Sequence, residues 1–429
     1  MIKSETKEKE FAPVHFGLAD QAADYNQQAI CALDHDDDPF LAEIYYLEAI
    51  KCDPDSPILH YNLGILYEGF LFDPKAARVR FERAIQLDPG YKDAYMALCE
   101  LCLEMGTDLE IAFSCAHKIK ELDPRDSRNL NNLGCLFVNY KKDYQMAACC
   151  FKEAVENSPQ SSSFFANLAD AYRLLEYFDE AAAAYQQALV LDPENPGYCY
   201  QYAQLLRYYF HEYEEAECYY KKAIQIQPDN LAPYRALSSL YTFEHRHHRR
   251  AVQILETAEK HFPQDSTLLL DIAGIYDYQL HDFQKAREYY EKVVNLTPAN
   301  KAAWSALAVV YSEMLKDYEK GMDAYLQLLQ LEPDNLTANL NIGHLNFYHL
   351  DAAELAAGFY EKALSLMDSR GEIDLYGGEI YLSLGILYEQ HYKEVNKAID
   401  YYERAIESGN EELAKRRLMR LYTEELRIH

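Results

Sequence analysis

The chain has 429 residues, 49% hydrophobic and 26% charged, which is ample material for a core. Lys and Arg (41) against Asp and Glu (70) leave a formal charge of −29, which argues against a nucleic-acid backbone or an anionic membrane surface as partner. Glycine (16) and proline (15) are scarce, which disfavours a β-sandwich and long flexible linkers. In chain order, residues 1–16 read as a polar tail of mixed charge, with no apolar core for a signal peptide. No uninterrupted apolar run reaches membrane-spanning length.

From Gly17 to residue 409 one pattern repeats. Nine prolines keep step: Pro54, Pro89, Pro124, Pro159, Pro193, Pro228, Pro263, Pro298 and Pro333. Successive differences are 35, with a single 34 between Pro159 and Pro193. Proline lacks an amide donor and ends a helix, so it punctuates each unit. Twelve residues before each proline sits a small side chain, from Ala42 and Ala77 to Gly321. Eight before it there is usually an aromatic, such as Tyr46, Phe81, Phe151, Tyr185 and Tyr220. Five before it is often alanine, as at Ala49, Ala84 and Ala154. Offsets of four and three put these positions on one helical face. Leu63-Gly64 with Tyr67, and Leu133-Gly134 with Phe137, mark the inner face of a second helix in each unit. A hairpin of two helices cannot bury both apolar faces alone, but a stack of hairpins can.

The count reaches about eleven hairpins. The tenth and eleventh lack the proline but keep Ala356 with Ala363 and Ala398 with Ala405. Residues Asp368 to Gly378 between them read as a polar linker. Residues 410–429 read as a capping helix, with Leu413, Leu418, Leu421 and Leu426 inward and Lys415, Arg416, Arg417 and Arg420 on its outer face.

These positions closely resemble the tetratricopeptide repeat over nearly the whole chain. The resemblance implies an all-α, right-handed superhelical solenoid. The departure is length: most units have 35 residues rather than 34, and counting back from the prolines puts the extra residue in the loop inside the hairpin, as around Phe70 to Asp73.

Motifs for chemistry are missing. No phosphate loop, dinucleotide fingerprint or nucleophile elbow is present. His211-Glu212 begins like a zinc-protease helix, but Glu215 stands where the second histidine belongs. The basic cluster from His245 to Arg250 reads as a solvated turn, and the acidic run Asp36 to Asp38 as a turn with a helix N-cap. Ten scattered cysteines, including Cys99 and Cys102 in the only Cys-x-x-Cys, read as reduced core thiols of a cytoplasmic protein. No metal and no cofactor are expected.

The resembled family lines a concave groove with the first helix of each hairpin, and that groove holds a peptide. Mapping the groove positions gives Asn62, Arg128, Asn131, Asn132, Asn167, Arg173, Gln201, Arg207 and Arg235 as peptide-binding candidates. The row at the sixth position is similar to the asparagine ladder of the O-linked N-acetylglucosamine transferase repeat domain, although Ala97, Ala236 and Ala306 interrupt it. Asparagine amides offer donor and acceptor to an extended backbone. The four arginines suit a carboxylate, as of an acidic or C-terminal segment, unless neighbouring carboxylates already hold them. Acidic residues flank them, including Glu100 before and Asp271, Asp277, Glu313, Glu379 and Glu389 after. The Lys-x-x-x-Asn and Lys-x-x-x-Arg pairs that bind chaperone tails are missing, with Cys135 and Ser239 in the partner positions of Asn131 and Arg235. The expected function is a non-catalytic protein-interaction scaffold or adaptor. Self-association through terminal hairpins is the alternative, and an enzyme is the weaker one.

Overall fold

A computed structural model describes residues 20–34, 37–370 and 373–428. The polar tail, Asp36 and the side chain of Leu426 lie outside them. Among the described residues there are 23 α-helices and no strand. The chain divides into two compact units, Met1–Ile226 and Gln227–His429.

In the first unit the pairs are α1 (Asp20–Asp34) with α2 (Pro39–Cys52), α3 (Pro57–Gly69) with α4 (Pro74–Leu87), and α5 (Lys92–Met105) with α6 (Leu109–Leu122). They continue as α7 (Ser127–Leu136) with α8 (Tyr144–Asn157), α9 (Ser162–Leu174) with α10 (Phe178–Leu191), and α11 (Pro196–Leu205) with α12 (Tyr213–Ile226). The second unit pairs α13 (Leu231–Phe243) with α14 (His248–Glu259), α15 (Ser266–Gly274) with α16 (Phe283–Leu296), and α17 (Lys301–Val309) with α18 (Tyr318–Leu331). It ends with α19 (Leu336–Tyr348) and α20 (Ala353–Arg370), α21 (Ile373–Leu387) and α22 (Val395–Glu407), and α23 (Glu411–Ile428). Within each unit a helix packs on its hairpin partner, and each second helix packs on the first helix of the next hairpin. Burial is therefore local in sequence, as in a repeat protein.

The predicted faces are the buried ones. In α4 the buried residues are Ala77, Phe81 and Ala84; in α8 they include Ala147, Phe151 and Ala154; in α22 they are Ala398, Tyr402 and Ala405. Each buried aromatic contributes about 1.5–3 kcal/mol relative to exposure. The ring fills space that a glycine on the first helix leaves open. A Cβ on Gly343 would stand 2.5 Å from Tyr360, and one on Gly385 would stand 2.6 Å from Tyr402.

The prolines act with their neighbours. The residue two after a proline caps the next helix: Asp126 accepts from the Asn129 amide at 2.9 Å, Asn300 from Ala303 at 3.0 Å and Asn335 from Ala338 at 2.8 Å. Asp38 likewise caps α2 through the Leu41 amide. Of the two hairpins without the proline, the tenth runs on, whereas α22 of the eleventh stops at Glu407. α20 has 18 residues, and helix covers much of the stretch expected as a linker.

The extra residue of the 35-residue units does lie inside the hairpin. In the 34-residue unit the Tyr177 amide donates to the Tyr172 carbonyl, five residues back. In the unit before it the Asp143 amide donates to Phe137, six back, and Glu212, Asp282, Asp317 and Glu394 repeat that closure. Five first helices widen into a π turn there, at Phe137–Lys141, Leu206–Phe210, Ile275–Gln279, Val310–Met314 and Tyr388–Tyr392. A left-handed, non-glycine residue precedes the closing one, as at Lys142, His211, His281 and Lys316.

Candidate functional site

Within the first unit α3, α5, α7 and α9 touch in succession, so their groove positions fall side by side. The contacts join residues 32 or 36 apart. Asn62 donates to Asn26 Oδ1 at 3.0 Å, and Asn167 Nδ2 donates to Asn131 Oδ1 at 2.8 Å. Asn132 Nδ2 lies 3.5 Å from Met96 Sδ and 3.4 Å from Glu100 Oε1. Asn62, Asn132 and Asn167 are buried, each bonded to a side chain of the preceding first helix. Their amides bond to neighbouring side chains because close packing of successive first helices leaves them little solvent. Asn131 is half-buried, as is Gln201.

The arginines are held by carboxylates. Arg128 spans 28 residues to Glu100, with one guanidinium nitrogen at 2.8 and 2.9 Å from the two carboxylate oxygens. Arg173 pairs with Asp170 at 3.4 Å, and the Tyr185 hydroxyl donates to that same carboxylate at 2.7 Å. Burial and the Asp170 charge together push the Tyr185 hydroxyl far above its usual range, so it stays a donor. In the second unit Arg235 binds Asp271, with Nε at 2.7 Å. Burial raises the Asp271 carboxyl despite that guanidinium. Arg207 differs from the expectation of an exposed groove cation, being only 3% exposed. Its guanidinium lies over the Tyr208 ring at 4.8 Å, and its charge opposes the burial that raises the Tyr220 hydroxyl. Thr242, one repeat later, is buried at the same position.

The capping helix also departs from the sequence reading. Arg417 is drawn inward, its side chain 22% exposed, while Arg420 stays 55% exposed as expected. Both bind the buried Glu389 carboxylate, Arg417 at 3.1 Å, and the Tyr402 hydroxyl donates to it as well. Arg416 pairs with Glu412 on its own helix. Leu413 is 43% exposed, while Ala414 and Leu421 are buried and Leu418 packs beside them. Leu418 and Leu421 thus face inward as expected, and Leu413 is the described leucine that does not.

The other candidates belong to the packing. Cys99 and Cys102 are buried on α5 beside Cys115, and burial raises all three thiols. Among the described residues no group of three or more His, Cys, Asp and Glu is placed to hold a metal. His245 and His247 stack at 6.2 Å beside α14. Among the described residues no helix is long and apolar enough to cross a membrane.

Comparison with known proteins agrees with this geometry. Residues 45–75, 163–195 and 273–335 each match the tetratricopeptide repeat. The chain is 23% identical over 180 residues to Superkiller protein 3 of Schizosaccharomyces pombe, a match covering 40% of this chain and 13% of that protein. It is 29% identical over 139 residues to human Protein O-mannosyl-transferase TMTC3, covering 31% of this chain and 15% of the relative. The chain thus spans a small fraction of the length of these relatives. Among solved structures, that of Pseudomonas aeruginosa pilF is 18% identical and has a TM-score of 0.45, covering 51% of this chain and 97% of the other. With its hairpins, its small–aromatic–small faces and three matched segments, the chain belongs to the tetratricopeptide-repeat family.

Proposed function

We propose that the chain is a non-catalytic scaffold that holds an acidic or carboxyl-terminal segment of a partner protein along the first helices of its first unit. One observation carries this reading: Asn131 and Asn167 join α7 to α9, and the rim beside them carries the partly exposed Arg128 and Arg173. An exposed ion pair contributes about 0–1 kcal/mol. Glu100 engages only one nitrogen of the Arg128 fork, and both guanidinium groups are partly exposed, so each can also receive a partner's carboxylate. A preordered surface avoids an ordering penalty on binding. Arg207 supports the hairpin from within. A reducing, cytoplasmic setting suits the cysteine usage, with six of ten thiols buried.

Selection of peptides displayed on phage against the full chain tests this reading. Recovered sequences should be acidic or should require a free carboxyl terminus. Their affinity should fall about tenfold or more in an Arg128→Glu, Arg173→Glu double variant. Equal binding by that variant would remove the proposal.

A further inference from the structure

The second unit carries a cleft of different chemistry. It has a volume of about 440 Å³ and lies between the end of one first helix and the face of the next. Asp277 and Tyr278, in the π turn after α15, form one wall. Ala302, Ser305 and Ala306 of α17 form the other, with Met314 at the edge. The small side chains of α17 leave the space open. They occupy the groove positions that asparagines and arginines fill in the first unit.

The carboxylate is the unusual feature. Asp277 is only 8% exposed, and its Oδ2 accepts from the Tyr290 hydroxyl at 3.1 Å. His281, also in the cleft, contacts the Asp277 carbonyl. Among the described residues no lysine or arginine forms an ion pair with Asp277. Burial raises its carboxyl, as expected for a charge short of a cation. Beside it the Tyr278 ring is 67% exposed, a large apolar face left to solvent. A carboxylate next to an open aromatic face is a receptor for an alkylammonium, by ion pairing and cation–π attraction.

We propose that this cleft takes the side chain of a lysine from an extended segment of a partner protein, with the ammonium at Asp277 and the stem on Tyr278, Ala302 and Ala306. The stem covers apolar surface while the head pairs, as lysine does wherever its two ends meet different surroundings. The narrow approach across α17 depends on its alanines. A longer side chain at 306 would fill the space.

The test uses the full chain with methyl-labelled alanine and methionine, followed by nuclear magnetic resonance. The probe is the peptide acetyl-Ala-Lys-Ala-amide, titrated to about 10 mM. The methyl signals of Ala302, Ala306 and Met314 should shift saturably. The same peptide with its lysine acetylated should bind about tenfold more weakly, since stem and length are kept and the charge is gone. Asp277→Asn keeps an acceptor for Tyr290 and should weaken the lysine peptide by a similar factor. Ala306→Leu should abolish the shifts while leaving Asp277 in place. No saturable shift, or equal binding of the acetylated peptide, would overturn the proposal. So would unchanged binding by both variants. The probe needs no acidic segment and no residue of the first unit, so its failure leaves the reading of Arg128 and Arg173 to its own test.

Discussion

A Cβ added to Gly64 would stand 2.5 Å from Cε1 of Phe81, and this pair sets the spacing between α3 and α4. Gly64→Ala must push the ring or the helix aside, at a cost of about 1–3 kcal/mol. Gly358, inside α20, is the control. A Cβ there meets nothing within 4 Å, so Gly358→Ala should gain about 0.5–1 kcal/mol from helix propensity. Urea denaturation of both variants checks the pair. Equal effects would mean that the glycine–aromatic contact does not govern hairpin packing.

The π-turn closures hold side chains in the left-handed region, and Lys316 is one, with φ of 58°. A side chain there is strained, and glycine is not. Lys316→Gly should stabilise by about 0.5–1 kcal/mol, and Lys316→Val should destabilise, in thermal unfolding. Loss of stability in the glycine variant would contradict the loop assignment.

His344 gives the second unit a dependence on pH. Its Nε2 lies 3.0 Å from Ser383 Oγ, and burial lowers the imidazole from 6.5 to about 4. The folded chain therefore holds it neutral, whereas the unfolded chain protonates it near 6.5. Its contribution is complete above that value and is lost as pH falls toward 4, by about 3 kcal/mol in all. His344→Gln should make unfolding midpoints fall less steeply over this window. An unchanged pH profile would show that the ring is not held neutral.

Glu389 fixes the last helix. Replacing it with alanine leaves Arg417 and Arg420 without their shared carboxylate and the Tyr402 hydroxyl without its acceptor. The arginines keep access to water, so the cost falls mainly on the buried Tyr402 hydroxyl, about 1–3 kcal/mol. Hydrogen exchange in α23 should quicken about tenfold or more, with little change in α13 and α14, because stability in a stack is local. Unaltered exchange in α23 would show that apolar packing alone holds it.

The fold was readable because proline, small and aromatic residues answer to local geometry. Pro124 with Asp126 marks a helix stop and the next helix start within three residues, a signal present in the sequence. The pairing of Arg128 with Glu100 was less legible. It joins residues 28 apart on neighbouring hairpins, and only the packing of α5 on α7 brings these side chains together. A search for opposite charges 28 and 36 apart would have found it, and Arg235 with Asp271 too. Arg207 was not legible as an inside residue, because a guanidinium signals exposure and only its packing beside Tyr208 and Tyr220 puts it within. On the last helix Leu418 and Leu421 were legible, whereas Arg417 meets Glu389, 28 residues away, only through packing.

The most direct measurement is hydrogen exchange of the full chain with and without an acidic peptide selected by display. The account predicts added protection on α7 and α9, where Asn131, Asn167, Arg128 and Arg173 sit. Protection confined to α8 and α10, with α7 and α9 unchanged, would contradict it.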